Sequence, residues 1–128
     1  MSRTLRFTIL GIPPGLNVLR RMHHYHWADA KRDWTGRSYE AALEAVKRII
    51  PKGEVWAQKV RVTVTYHFAD ARRRDPDNYA SATKFLLDGL TLARVMPDDD
   101  FGHVELVVRR GEPDKRNPHV EVLVEEVE

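Results

Sequence analysis

Val60-Arg61-Val62-Thr63-Val64-Thr65-Tyr66-His67-Phe68 alternates apolar and polar residues along its whole length. A period of two is the mark of a strand buried on one face, with Val60, Val62, Val64, Tyr66 and Phe68 turned to a core. The period changes after Pro76. From Asn78 to Val95 the apolar residues Tyr79, Ala82, Leu86, Leu90 and Ala93, with Phe85 alongside, follow helical spacing, and Pro97 ends the run. One strand leading through a short polar link into one helix is the start of a sheet with helices packed on it.

The rest of the chain extends this unit. Thr4 to Leu10 alternates, with Leu5, Phe7 and Ile9 on one face, and stops at Gly11-Ile12-Pro13-Pro14-Gly15. Residues 16–36 show neither period, are rich in Arg, His and Trp, and read as a long functional or disordered connection. Arg37 to Ile50 fits a helix through Ala42, Ala45, Val46 and Ile49, closed by Pro51. Gly102 to Arg110 and His119 to Glu125 alternate as two more strands around Gly111-Glu112-Pro113-Asp114. The predicted order is strand, helix, strand, helix, strand, strand. It describes a single α+β (mixed α/β) domain over residues 1–128, with one mixed sheet and helices packed on it.

Composition sets outer bounds. The chain has 128 residues, 42% of them hydrophobic, which suits one core and not two. No run approaches the roughly 20 apolar residues of a membrane span, and the N-terminus has no signal-peptide apolar core, so no membrane partner and a cytoplasmic location are expected. Without cysteine, a metal would have to be held by oxygen or imidazole. Net charge is only +2, but Lys and Arg concentrate before residue 75, whereas Glu121, Glu125, Glu126 and Glu128 close the chain with no base among them. A locally basic surface broken by an acidic pocket fits a nuclease, and an ordinary solvated surface would show similar totals.

The chemistry concentrates in Arg72-Arg73-Arg74-Asp75-Pro76-Asp77-Asn78, answered by Asp98-Asp99-Asp100. Every acidic residue between Asp70 and Gly102 is Asp, although Glu predominates elsewhere. Short carboxylate arms suit a compact oxygen site for a hard cation such as Mg²⁺, and arginine suits phosphate. Each piece also has a plain structural use. Asp75 followed by Pro76 is a common helix start, worth about 1 kcal/mol. Asp98 to Asp100 after Met96-Pro97 reads as a turn, although three adjacent negative charges repel unless a cation neutralises them.

A helix over 78–95 is about 27 Å long, so the two Asp clusters meet only if the chain turns back after Pro97 or the helix breaks at Gly89. Ser81, Lys84, Asp88 and Thr91 share one helical line, either as a solvent stripe with a Lys84–Asp88 pair or as a row that carries Lys84 toward a phosphate. Arg20, Arg21, Tyr25 and Trp27 offer backbone contacts and stacking groups for nucleic acid. The neighbouring His23, His24 and His26 match no closed zinc set.

On these residues the chain resembles the RusA family of Holliday junction resolvases. The matching core is Arg73-Arg74-Asp75-Pro76-Asp77-Asn78, then Lys84-Phe85-Leu86-Leu87-Asp88-Gly89-Leu90, then Pro97-Asp98-Asp99, with Pro13-Pro14-Gly15-Leu16-Asn17 as a weaker match near the N-terminus. The resemblance implies that Asp75, Asp77 and Asp99 bind Mg²⁺, with Mn²⁺ able to substitute, and that Lys84 assists at the phosphate. Asp88 matches a family carboxylate, and Asn78 belongs to the motif. Asp98 and Asp100 remain alternatives to Asp99, which its distance from Asp88 favours. Asn78 and Lys84 are six positions apart where the family pattern has three. The implied activity is a homodimeric crossover junction endodeoxyribonuclease that resolves four-way DNA junctions by paired nicks in recombination and repair. Arg20, Arg21, Arg72, Arg73 and Arg74 would then hold the DNA backbone. A non-catalytic domain for structured nucleic acid, or a nuclease for another branched DNA or RNA, uses the same residues.

Overall fold

The computed structural model describes residues 3–46, 50 and 53–128. Its elements are β1 (Thr4–Leu10), α1 (Leu16–Leu19), α2 (His24–Val46), β2 (Val60–His67), a 3₁₀ turn (Pro76–Tyr79), α3 (Ala80–Leu92), β3 (Val104–Arg110) and β4 (His119–Glu126). One four-stranded sheet has the order β1-β4-β2-β3. β4 pairs antiparallel with both β1 and β2, whereas β2 and β3 run parallel because α3 carries the chain back between them. The fold is a single mixed α+β domain.

Both long helices cover the same face of the sheet. Val60, Val62, Val64 and Tyr66 of β2 and Val120, Val122 and Val124 of β4 are buried beneath them, while Arg61, Thr63, Thr65 and His67 lie on the more open face. From α3, Ala82, Phe85, Leu86, Leu87 and Leu90 enter this core. Among the described residues no helix is long and apolar enough to cross a membrane.

The stretch 16–36, read as an irregular connection, is largely helical. It holds α1 and the first half of α2, whose inner line runs Trp27, Ala30, Trp34, Ser38 and Ala42. That line is made of Trp, Ala and Ser between charged and imidazole side chains, so its period is hidden in hydrophobicity while its packing is sound. Of the helix expected over 37–50, the part to Val46 is present and Ile50 lies in a bend; residues 47–49 and the stop at Pro51 fall outside the described residues.

Gly89 does not break its helix. It lies inside α3 where that helix crosses α2, and a Cβ there would stand 2.6 Å from Ser38 Cβ and 2.7 Å from the Thr35 carbonyl oxygen and the Tyr39 nitrogen. The fully buried Ser38 hydroxyl donates to the Leu86 carbonyl at 2.7 Å across the same crossing. Backbone cannot swing aside as a side-chain tip can, so Gly89→Ala is expected to cost roughly 1–3 kcal/mol by overpacking. Urea unfolding of the variant beside the parent checks this, and equal midpoints would show that the helices separate freely.

Candidate active site

The residues flanking α3 take their positions from the backbone at its two ends. At the head, Asp75 has extended φ and ψ and Pro76 follows at the first helical position, as expected for a helix start. The helix begins as a 3₁₀ turn, however, and Asp75 makes no side-chain capping bond. Its carboxylate instead faces Arg73 at 3.3 Å. Asn78 is used differently again. Its Oδ1 accepts from the Asn17 backbone N–H at 2.9 Å, and Gly15 packs so closely on it that a Cβ would collide with the Asn78 amide. The Pro13-to-Asn17 segment is thereby seated on the head of α3.

At the tail, α3 ends in a Schellman reversal. Val95 N–H donates to the Leu90 carbonyl at 3.0 Å and Arg94 N–H to Thr91 at 3.0 Å. Arg94 occupies the left-handed position with φ 63°, which glycine usually fills, and its guanidinium donates to the Glu54 and Gly53 carbonyls. The chain therefore turns back before Pro97. It returns Asp98 to Asp100 alongside α3, and the three then diverge. Asp98 accepts from the Asp99 backbone N–H at 2.8 Å, and Asp100 pairs with His103 and accepts the His103 and Val104 N–H groups on its carbonyl. Asp99, the least exposed of them, is ion-paired to Lys84.

Lys84 Nζ stands between two carboxylates, Asp99 and Asp88, the latter at 2.7 Å. These hydrogen bonds raise the lysine above its usual range, and the Lys84 bond holds Asp99 below the usual carboxylate range. Around them Trp27 and Lys31 of α2 and Ala80, Ser81 and Phe85 of α3 line a shallow groove, which continues past Trp27 and Lys31 toward Arg20 and His24. Lys31 stands four residues after Trp27, and only the helical form of this stretch sets the two side by side in the groove. Arg21 is exposed just before α2.

The arginine run divides in the same way. Asp70 accepts the Arg72 N–H, the Arg72 guanidinium and the Arg74 guanidinium, which together hold its carboxyl well below the usual range. Arg74 lies over the Phe68 ring at 4.3 Å, and Arg110 lies over it at 5.1 Å while donating to the Arg72 and Asp70 carbonyls. Arg74 thus orders the loop, while Arg72 and Arg73 extend outward.

The structure brings Lys84, Asp88 and Asp99 together. It leaves Asp75 and Asp77 exposed at the head of the helix, Asp77 in the 3₁₀ turn that precedes the α-helical turns carrying Lys84. Among the described residues, the set of three side chains with metal-ligand spacing is His67, His119 and Glu121, and no such set joins Asp75 or Asp77 to Asp99. No protein-family model and no curated protein matches the chain.

A carboxylate whose pKa is depressed on folding adds stability above its unfolded value near 3.9, and that stability is lost as pH falls through the folded value. Asp99→Asn is therefore expected to cost on the order of 1 kcal/mol or less at pH 7, Lys84 being largely solvated. The gap should close at a pH below that lowered folded value. Urea unfolding at both pH values checks this; a gap of constant size would mean that the ion pair is not its source.

Proposed function

We propose that the chain is a metal-dependent endodeoxyribonuclease for branched DNA. More narrowly, we propose a RusA-like resolvase that nicks four-way junctions in recombination and repair and acts as a homodimer. The observation that carries the reading is the convergence of Asp99 and Asp88 on Lys84, produced by the reversal at Arg94 and bordered by Trp27 and Lys31. The resemblance of the Asp75-to-Asp99 motifs to the RusA family supplies the reaction.

Two carboxylates already facing one positive charge form an oxygen donor set that suits a hard cation, Mg²⁺ or Mn²⁺. Asp99 and Asp88 would hold it from one side, and Asp75 and Asp77 are the carboxylates assigned to it by the motif. When bound, the ion supplies an activated water and neutralises charge on the phosphate. Lys84, released from its carboxylates, would meet the non-bridging phosphate oxygens and stabilise the charge that builds there. Lys31, Arg20 and Arg21 would hold the flanking backbone, Trp27 offers an unpaired base a stacking surface, and Arg72 and Arg73 extend the basic surface.

The homodimer reading draws support from β3. Its outer edge has no strand partner among the described residues, and Leu106, Val108 and Phe101 are exposed beside it. An open edge strand with apolar neighbours is a surface that proteins ordinarily cover.

One observation favours a second reading. Lys84 neutralises Asp88 and Asp99 internally, and no metal-spaced set among the described residues joins Asp75 or Asp77 to Asp99, an arrangement that also suits a domain that binds structured nucleic acid without cutting it. Nicking of a labelled four-way junction in Mg²⁺ or Mn²⁺ separates the two. The parent is expected to cut, and Asp77→Asn, Asp99→Asn and Lys84→Met to lose roughly 10²-fold or more in rate while still binding. Binding without cutting by the parent would select the second reading. Faster cutting of flaps or RNA hairpins would move the substrate but leave the chemistry in place.

A further inference from the structure

Metal-ligand geometry occurs on the other face of the sheet, away from Lys84. His67 of β2 stands opposite His119 of β4, and strand alternation puts Glu121 on the same face two residues further on. Both imidazoles are fixed through their other nitrogen. Nδ1 of His67 lies 2.8 Å from the Glu112 carbonyl oxygen, and Nδ1 of His119 lies 2.7 Å from that of Asn117. A carbonyl oxygen only accepts, so each Nδ1 carries a proton, which leaves Nε2 of each ring as the atom that can present a lone pair to a metal. Those lone pairs meet the same atom: Oε1 of Glu121 is 3.2 Å from Nε2 of His67 and 3.5 Å from Nε2 of His119. Nε2 of His67 is buried and has no hydrogen-bond partner.

Three electron-rich atoms facing one point repel each other unless a proton or a metal cation lies between them. The two rings stack at 4.4 Å with their planes only 12° apart, so both imidazoles face Glu121 together. The distances suit a metal. A tetrahedral ion with bonds of about 2.0–2.1 Å keeps its ligand atoms about 3.3 Å apart. The two nitrogen–oxygen separations bracket that value, and all three ligand atoms lie within 4.8 Å of one another. Carbonyl oxygens behind ligating imidazoles are the usual outer partners that set tautomer and ring orientation. Gly111 adds a further constraint, since a Cβ there would stand 2.7 Å from Nδ1 and 2.8 Å from Nε2 of His67.

We infer that His67, His119 and Glu121 form a binding site for one divalent cation of the zinc class, with water completing its coordination. Two imidazoles and one carboxylate select a borderline ion over Mg²⁺, which prefers oxygen ligands throughout. The ion would fasten the connection between β3 and β4, which supplies both supporting carbonyls, to the end of β2. The next residue, Phe68, carries Arg74 and Arg110 on its ring, so the ion would also steady the base of the arginine loop. The inference does not depend on the nuclease reading.

Titration of chelator-stripped protein with Co²⁺ tests it, since tetrahedral Co²⁺ is visible by absorption. With millimolar Mg²⁺ present to fill any all-oxygen site, the expected result is one equivalent of tetrahedral Co²⁺ bound, displaced by Zn²⁺ and not by the Mg²⁺. His119→Gln and Glu121→Gln should each weaken binding at least about tenfold, while Asp99→Asn binds as the parent does. Glu121 is partly exposed, so Glu121→Gln decides the matter if His119→Gln fails to fold by circular dichroism. A folded parent that binds neither ion, a Glu121→Gln variant with unchanged affinity, or an Asp99→Asn variant that loses the site would overturn the inference and leave an imidazolium–carboxylate pair.

Discussion

The crossing of α3 on α2 at Gly89 is the contact on which the remaining architecture depends. Helix backbones approach this closely only where one side chain is missing altogether. The approach leaves the Ser38 hydroxyl buried, and its bond to the Leu86 carbonyl satisfies a donor that water cannot reach. With α3 held this way, Ala82, Phe85, Leu86 and Leu90 press on the sheet, and Lys84 and Asp88 stand on the outer side next to Trp27 and Lys31 of α2. The groove is therefore the outer seam of the helix pair whose inner seam is Gly89 and Ser38.

What fills that seam is decided at the end of α3. A non-glycine residue with φ 63° costs roughly 1 kcal/mol or more. Two guanidinium hydrogen bonds from the same residue to backbone carbonyls help offset it. The return path then assigns three chemically identical carboxylates to different tasks. Asp98 and Asp100 shape the turn, and Asp99 faces the lysine. The arginine run shows the same division, because Asp70 and the Phe68 ring draw Arg74 into the fold while Arg73 stays in solvent.

Much of this could be read directly from the chain. β2, β4 and the core stripe of α3 were legible because burial of one face imprints a period of two or of about 3.6 on the residues themselves. The same rule hid the first half of α2, whose buried line of Trp27, Ala30, Trp34 and Ser38 mixes aromatic, small and polar residues. Asp75 was legible as a helix start by its place before Pro76, but its side-chain partner was not, because Arg73 competes for the carboxylate.

By itself, then, the sequence determined the class of fold, the two strands and the helix at its centre, and the residue types available for phosphate and metal chemistry, since these follow from local period and side-chain identity. Which of those residues meet was decided only by tertiary structure. Asp99 reaches Lys84 because a left-handed residue reverses the chain, and His67 meets His119 and Glu121 because antiparallel register sets two distant strands side by side. Register and chain reversal are set by the packing of the whole domain, and no local period encodes them.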